Sequence, residues 1–123
     1  MTVITGIVID DDSRTVRIFS ELLEELGVKV LGKGYNGKDA VTLYKEYTPD
    51  IVFLDVMMPD GNGFYAIRKI QQINTDSKII AVTADTRSYI REKLKKQNIT
   101  SIMYKPFDVK SIMQIINQNT DNK

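Results

Sequence analysis

Five short runs rich in Ile and Val alternate along the chain with five stretches whose apolar residues recur every three or four positions. The runs are Val3 to Asp10, Val28 to Gly34, Ile51 to Asp55, Lys78 to Thr83 and Ile102 to Tyr104. Each is bounded by Gly, Pro, Asn or Asp, or by a polar residue, which predicts strands. Val28 to Gly34 is polar enough to lie at a sheet edge. The intervening stretches predict helices. Ser13 to Leu26 turns Val16, Phe19, Leu23 and Leu26 inward, with Gly27 as its stop. Gly37 to Tyr47 turns in Ala40, Val41, Tyr44 and Tyr47. Gly63 to Asn74 turns in Ala66, Ile67 and Ile70. Thr86 to Gln97 has few apolar residues, chiefly Tyr89, Ile90 and Leu94. Val109 to Asn119 turns in Val109, Ile112, Met113 and Ile116. Gln118 to Lys123 is polar and is expected to fray. Strict alternation of apolar strands with helices implies an α/β fold, a parallel sheet covered on both faces. The expected organisation is one domain over residues 1–119 and a polar tail over 120–123.

The polar residues that end the strands change the picture from architecture to chemistry. The first strand runs into Asp10, Asp11 and Asp12, the third ends on Asp55, the fourth on Thr83, and the fifth leads into Lys105-Pro106. In a parallel sheet the C-terminal strand ends converge, and the crevice outside them is where ligands bind. Each residue also has an ordinary structural reading. Acids before a helix complement its dipole, which suits Asp12 best and Asp10 poorly, since Asp10 still belongs to the strand. Asp55 would be a turn former, Thr83 a helix cap and Lys105 a solvated loop residue. Those readings are independent of one another, whereas a shared site explains all the placements together. Asp10, Asp11 and Asp55 would lie within a few ångströms of one another. Such a cluster repels itself, and one carboxylate takes up a proton unless a cation binds.

Composition narrows what that cation and chemistry can be. The 123 residues contain neither Cys nor His. Thiolate and imidazole ligands, thiol nucleophiles and an internal phosphohistidine are excluded. A metal must be held by oxygen, which favours Mg²⁺, Ca²⁺ or Mn²⁺. Mg²⁺ fits best, because it binds a few carboxylates and prefers phosphate as a further ligand. Lys105 would supply a positive charge to phosphoryl oxygens and Thr83 a hydroxyl. The remaining carboxylate is then placed to attack phosphorus, with positioning and charge neutralisation providing most of the catalysis. A net charge of +1 gives no general affinity for nucleic acid or membrane. No apolar stretch approaches the ~20 residues of a membrane span. The expectation is a cytoplasmic protein with no membrane insertion and no direct nucleic-acid partner.

The Asp10-Asp11 pair, Leu54-Asp55-Val56-Met57-Met58-Pro59, Val82-Thr83-Ala84 and Lys105-Pro106-Phe107 together resemble the receiver domain of two-component response regulators. The resemblance covers nearly the whole chain in the right order. It implies a flavodoxin-like (βα)5 fold with strand order 2-1-3-4-5 and helices on both faces. It implies that Asp55 is the phospho-acceptor, taking its phosphoryl group from a histidine kinase or histidine phosphotransfer protein. Asp10, Asp11, Asp55 and the backbone carbonyl of Met57 are then the Mg²⁺ ligands, Asp10 acting largely through water, and Mn²⁺ can substitute. Thr83, Ala84 and Lys105 bind the phosphoryl group, and the Lys105–Pro106 bond is cis. Met57 and Asp85, each two residues beyond a site residue, flank the path of the hydrolytic water. The chain would catalyse its own phosphorylation and dephosphorylation and turn over no separate substrate.

Three positions depart from the usual pattern. Ile102 stands where relatives often carry an aromatic ring, Asn98-Ile99 replaces a common Gly-Ala, and Asn62 replaces an acid. Asn is the next-best residue for a left-handed helix terminus, so the turn can survive. Ile102 is stiff and cannot execute a ring swing, which shifts the expected switch to the loop from Thr83 to Ser88 and the weakly apolar helix after it. The output surface is expected around Arg87, Arg91, Lys95, Ile102 and Tyr104, with Ile115 nearby. Arg14 and Arg17 are expected to face the phosphoryl donor. The partner is an unidentified downstream protein, reached from a stand-alone receiver that is monomeric or weakly dimeric on phosphorylation. Two competing readings are a Mg²⁺-dependent aspartyl-phosphate phosphatase and a phosphorylation-independent pseudo-receiver. In the phosphatase pattern the position held by Arg14 would be Thr or Val. A flavodoxin is disfavoured because three aspartates would repel the phosphate of a flavin.

Overall fold

A computed structural model describes residues 3–59 and 62–120, so Asp60 and Gly61 of the expected turn and the last three residues of the expected tail lie outside the described residues. The elements are β1 (Ile4–Ile9), α1 (Ser13–Glu25), β2 (Val28–Gly34), α2 (Gly37–Tyr47), β3 (Ile51–Asp55), α3 (Asn62–Ile73), β4 (Ile79–Thr83), α4 (Ser88–Lys96), β5 (Ser101–Tyr104) and α5 (Val109–Thr120). All adjacent strands pair in parallel, in the order β2-β1-β3-β4-β5, with β2 at an edge as its polarity predicts.

Alternate residues of the inner strands feed two separate cores. Ile7, Ile9, Val52, Leu54, Ile79 and Ala81 pack with Ala40, Tyr44, Ile67, Ile70, Ile90 and Leu94 from α2, α3 and α4. Val8, Ile51, Phe53, Ile80 and Val82, joined by Met103 of the edge strand β5, pack with Val16, Phe19, Leu23, Ile112, Ile115 and Ile116 from α1 and α5. Each inner strand is therefore apolar on both faces, which is why it reads as a continuous run rather than as an alternation.

Local chemistry sets the element ends. The Asp12 carboxylate accepts from the Arg14 N–H at 2.9 Å and caps α1. Gly27 follows α1 at φ 92°, a left-handed conformation that a side chain would oppose. Asn98 does the same after α4 at φ 63°, with the Ile99 N–H bonded to Leu94 O and the Asn98 N–H to Lys95 O, both at 2.9 Å. The turn expected to survive the loss of glycine does so.

Several expected details are corrected. Tyr47, Tyr89, Val109 and Met113 face solvent instead of the core, while Ile115, expected at the surface, is buried. Periodicity gives the spacing of an apolar stripe but leaves its rotation uncertain at the margins, and α5 buries 112, 115 and 116 rather than 109 and 113. Helix α4 starts at Ser88, not Thr86, because Thr86 and Arg87 belong to the loop held by Asp85. Strand β1 ends at Ile9, one residue before Asp10. Helix α5 runs to Thr120 rather than fraying from Gln118, since Asn119 donates to Ile115 O and bonds the Ser101 hydroxyl.

Candidate functional site

The sheet register assembles the site. Ile9 pairs with Leu54, which sets Asp10 beside Asp55, and Asp55 pairs with Val82, one residue before Thr83. Thr83 pairs with Tyr104, and the Lys105 N–H donates to Thr83 O at 2.9 Å, which aligns the lysine with the same rim. One carboxylate oxygen from each of Asp10, Asp11 and Asp55 lies within 4.8 Å of the others. Asp10 and Asp55 are buried and Asp11 is exposed.

Every oxygen of the buried pair has a defined neighbour. Asp10 accepts from the Asp12 N–H through Oδ1 at 3.0 Å and from Lys105 Nζ through Oδ2 at 2.7 Å. Asp55 accepts from the Met57 N–H through Oδ1 at 3.0 Å, and its Oδ2 lies 3.5 Å from Lys105 Nζ. Burial pushes the Asp55 carboxyl up. The Met57 N–H pulls it down, the Asp10 charge pushes it further up and Lys105 pulls it back, so that it stands above the ordinary carboxylate range. Burial pulls the Lys105 ammonium down, but the Asp10 hydrogen bond and the charges of Asp55 and Asp10 outweigh it and raise its pKa. The site thus holds three carboxylates against one protonated lysine. An all-oxygen donor set, self-repelling and without competing His or Cys, is the chemistry a hard divalent cation relieves.

Thr83 is 1% exposed, and its Oγ1 accepts from the Asp85 N–H at 3.0 Å. A hydroxyl that accepts one bond keeps its own proton for donation. Ala84 follows it and is exposed, and the Lys105–Pro106 bond is cis as expected. The Met57 side chain points out, 40% exposed.

Asp85 is less available than its position suggests. The Arg87 guanidinium holds both carboxylate oxygens, Nε lying 2.9 and 3.0 Å from them and Nη2 bonding Oδ2, and the Arg87 N–H adds a bond of 3.0 Å. These bonds hold the Asp85 carboxyl down at about 2. The sequence pattern places Arg87 only on an output surface. The Asp85-Thr86-Arg87 spacing is the signal that could have revealed the fork.

The other expected surface residues divide into two grooves. Arg91, Lys95, Ile99 and Ile102 line one of about 440 Å³ between α4 and β5. Tyr104, Pro106, Gln114 and Ile115 line another of about 480 Å³ between β5 and α5. Arg14 is exposed on α1, on the same side of the sheet as α5, whereas Arg17 follows the buried Val16 and is also exposed. No helix among the described residues is long and apolar enough to cross a membrane.

Comparison with known proteins agrees with this geometry. The family model for the response regulator receiver domain matches residues 7–117. The chain is 30% identical over 112 residues to the chemotaxis protein CheY of Thermotoga maritima, covering 91% of this chain and 93% of that one. It is 31% identical over 113 residues to protein PilH of Pseudomonas aeruginosa, covering 90% and 93%. Among solved structures it resembles a CheX–CheY–BeF3–Mg²⁺ complex from Borrelia burgdorferi, with a TM-score of 0.86 at 21% identity over 94% of this chain and 87% of that one. A CheY-like receiver domain protein from Methanospirillum hungatei gives a TM-score of 0.89 at 16% identity over 98% and 96%. At these identities the structural likenesses establish the fold alone.

Proposed function

The chain belongs to the response regulator receiver domain family, and we propose that within it Asp55 is the residue that takes a phosphoryl group from a phosphohistidine on a histidine kinase or phosphotransfer protein. The observation that carries this is a buried carboxylate, already pushed up by its surroundings, with Lys105 Nζ at 3.5 Å and two further aspartates beside it. Asp55 Oδ1 is fixed by the Met57 N–H, so the carboxylate has a set orientation before any donor arrives. Attack by the carboxylate forms a P–O bond as the P–N bond of the donor breaks, and the imidazole leaves with the electron pair.

Asp10, Asp11, Asp55 and the Met57 carbonyl are the groups that would hold Mg²⁺, with Mn²⁺ as a substitute. When bound, the cation neutralises charge on the carboxylates and on the phosphoryl oxygens. Lys105 moves between partners: its ammonium now bonds Asp10 and is within reach of Asp55, and it serves the phosphoryl group when that charge appears. Thr83 donates its hydroxyl proton to a phosphoryl oxygen. Ala84 lies in the segment that follows it, where its backbone is placed to help bind the same group. Met57 and Asp85 tune loss of the phosphoryl group to water. Output runs through Arg87, Arg91, Lys95, Ile102 and Tyr104 to a partner protein, from a single receiver unit over residues 1–119. That the phosphoryl-binding set is complete supports this reading over a pseudo-receiver.

The test is incubation with acetyl phosphate, with and without Mg²⁺, followed by intact-mass measurement. The wild type should gain one phosphoryl group only with the metal, and Asp55→Asn should gain none while remaining folded. Equal gain by the variant would overturn the assignment.

A further inference from the structure

The segment between β4 and α4 is held by side chains rather than by regular structure, and the holding group is Arg87. Its guanidinium grips both oxygens of Asp85, and its own N–H bonds the same carboxylate. The Tyr89 ring lies 4.9 Å from the guanidinium carbon, so an aromatic face also borders this cation. Arg87 occupies the N-cap position of α4 and makes no side-chain cap bond, since a guanidinium has no acceptor for the free N–H groups of the first turn; its donors go to Asp85 instead. Its carbonyl accepts from the Ile90 N–H at 3.1 Å and starts the helix. Asp85 in turn donates its N–H to the hydroxyl of Thr83, a residue buried at the sheet end next to Val82, the partner of Asp55.

An exposed ion pair ordinarily contributes little. Two features separate this one. It is a bidentate fork, the geometry that fixes orientation as well as charge. And its acidic partner is bonded onward, through its own backbone, to a buried group of the site. We propose that Arg87 is a positioning residue for the phosphoryl-binding hydroxyl: it pins Asp85, and Asp85 pins the Thr83 oxygen so that the hydroxyl proton stays free for a phosphoryl oxygen. The proposal rests on Asp55 being the acceptor. It concerns Thr83 and not the carboxylate cluster, so the metal ligands are untouched. Arg87 serves the site in this role, beyond any contact it makes with an output partner.

The experiment compares initial rates of phosphorylation by acetyl phosphate with Mg²⁺ for the wild type, Arg87→Ala, Arg87→Lys, Thr83→Ala and the Arg87→Ala/Thr83→Ala double variant. Loss of Arg87 should slow the reaction on the order of fivefold, the usual size of coupling within one hydrogen-bond network. Arg87→Lys should be equally slow, because a lysine keeps the charge but not the fork. In the Thr83→Ala background, removing Arg87 should change nothing further. Wild-type rates in Arg87→Ala, or an equal loss in both backgrounds, would overturn the proposal. NMR without donor or metal gives a second readout. The Asp85 amide proton and the Thr83 methyl should shift in both Arg87 variants, and unmoved resonances would overturn the proposal even if the wild type proved not to be phosphorylated, a result that would count against Asp55 instead.

Discussion

Asp55 is 5% exposed, and the proposed role of nucleophile requires it to be ionised, a demand that works against the stability of the metal-free protein. Its folded pKa stands above the ordinary value of 3.8, with burial as the main cause. The proton therefore binds the folded state more tightly than the unfolded one. The stability this gives is fully present below the unfolded pKa and is lost as pH rises through the folded one. At neutral pH the site is destabilised, and Asp55→Asn should raise the melting temperature of the metal-free protein by a few degrees. The gain should shrink as pH falls into the acid range. Thermal melts between neutral and acid pH check the sign, and a gain that grew on acidification would contradict it. Asp85 behaves oppositely, since its Arg87 bonds hold it ionised at about 2. It stays an ionised acceptor throughout the working range and can take a bond from water once the Arg87 fork yields an oxygen, whereas Met57 offers water no useful hydrogen bond. Phosphoryl decay should accordingly slow more in Asp85→Ala than in Met57→Ala. The reverse order in a decay time course would reject Asp85 as the group that tunes hydrolysis.

At the scale of the elements, helix α3 is docked tightly against the strand end that carries Asp55. A Cβ on Gly63 would lie 2.4 Å from the Cα of Val56 and 2.7 Å from its carbonyl oxygen, both backbone atoms that cannot yield as a flexible side chain would. Gly63→Ala should therefore cost about 1–3 kcal/mol, as overpacking does. It should also displace Val56, and slowed phosphorylation in a still-folded variant is the measurable sign. Helix α4 is tied differently at its two ends. Its C-terminal end is latched to α3: the Gln97 side chain donates to Phe64 O at 3.1 Å, Gln71 donates to Gln97 O at 2.6 Å, and Lys93 Nζ lies 4.1 Å from the Phe64 ring centroid. Its N-terminal end depends on the Asp85–Arg87 fork, and its buried residues are Ile90 and Leu94. The helix is thus better anchored than its low apolar content suggests. On the proposed role of Thr83, a phosphoryl group that draws on its hydroxyl would pull first on the loop and then on the first turn of α4. A beryllofluoride-bound sample, compared by backbone NMR with the free protein, should show shifts largest over Ala84–Ser88 and falling toward Gln97. Shifts confined to Ile102–Tyr104 would show that β5 carries the change.

Across the whole molecule, what was legible in the sequence is what repeats or what converges. The β3 and β4 runs read as strands because both of their faces are buried, and the polar groups at four strand ends read as one site because a parallel sheet brings those ends together. What was not legible depends on rotation and on loop geometry. The spacing of α5 fits either Val109 and Met113 or Ile115 in the stripe, and only packing against the sheet chose the latter. The fork between Arg87 and Asp85 lies in a segment with no period at all. The same division runs through the energetics. At the opposite end of the sheet, Thr5 and Asp50 clasp β1 to the start of β3: Asp50 Oδ2 accepts from the Thr5 N–H at 2.9 Å and its hydroxyl at 3.1 Å, and the Asp50 N–H returns a bond at 3.0 Å. Nothing there faces the carboxylate cluster. Removing the acceptor leaves a part-buried N–H unpaired, so Asp50→Ala should lose about 1–3 kcal/mol of stability. Well below its melting temperature it should keep the wild-type phosphorylation rate and Mg²⁺ dependence. Asp11→Ala should do the reverse. It removes an exposed member of a self-repelling cluster, so the melting temperature should hold or rise while Mg²⁺ dependence is lost. Melting curves read beside mass-resolved phosphorylation test both at once. A folded Asp50→Ala that failed to take up phosphoryl would show that the two ends of the sheet are coupled.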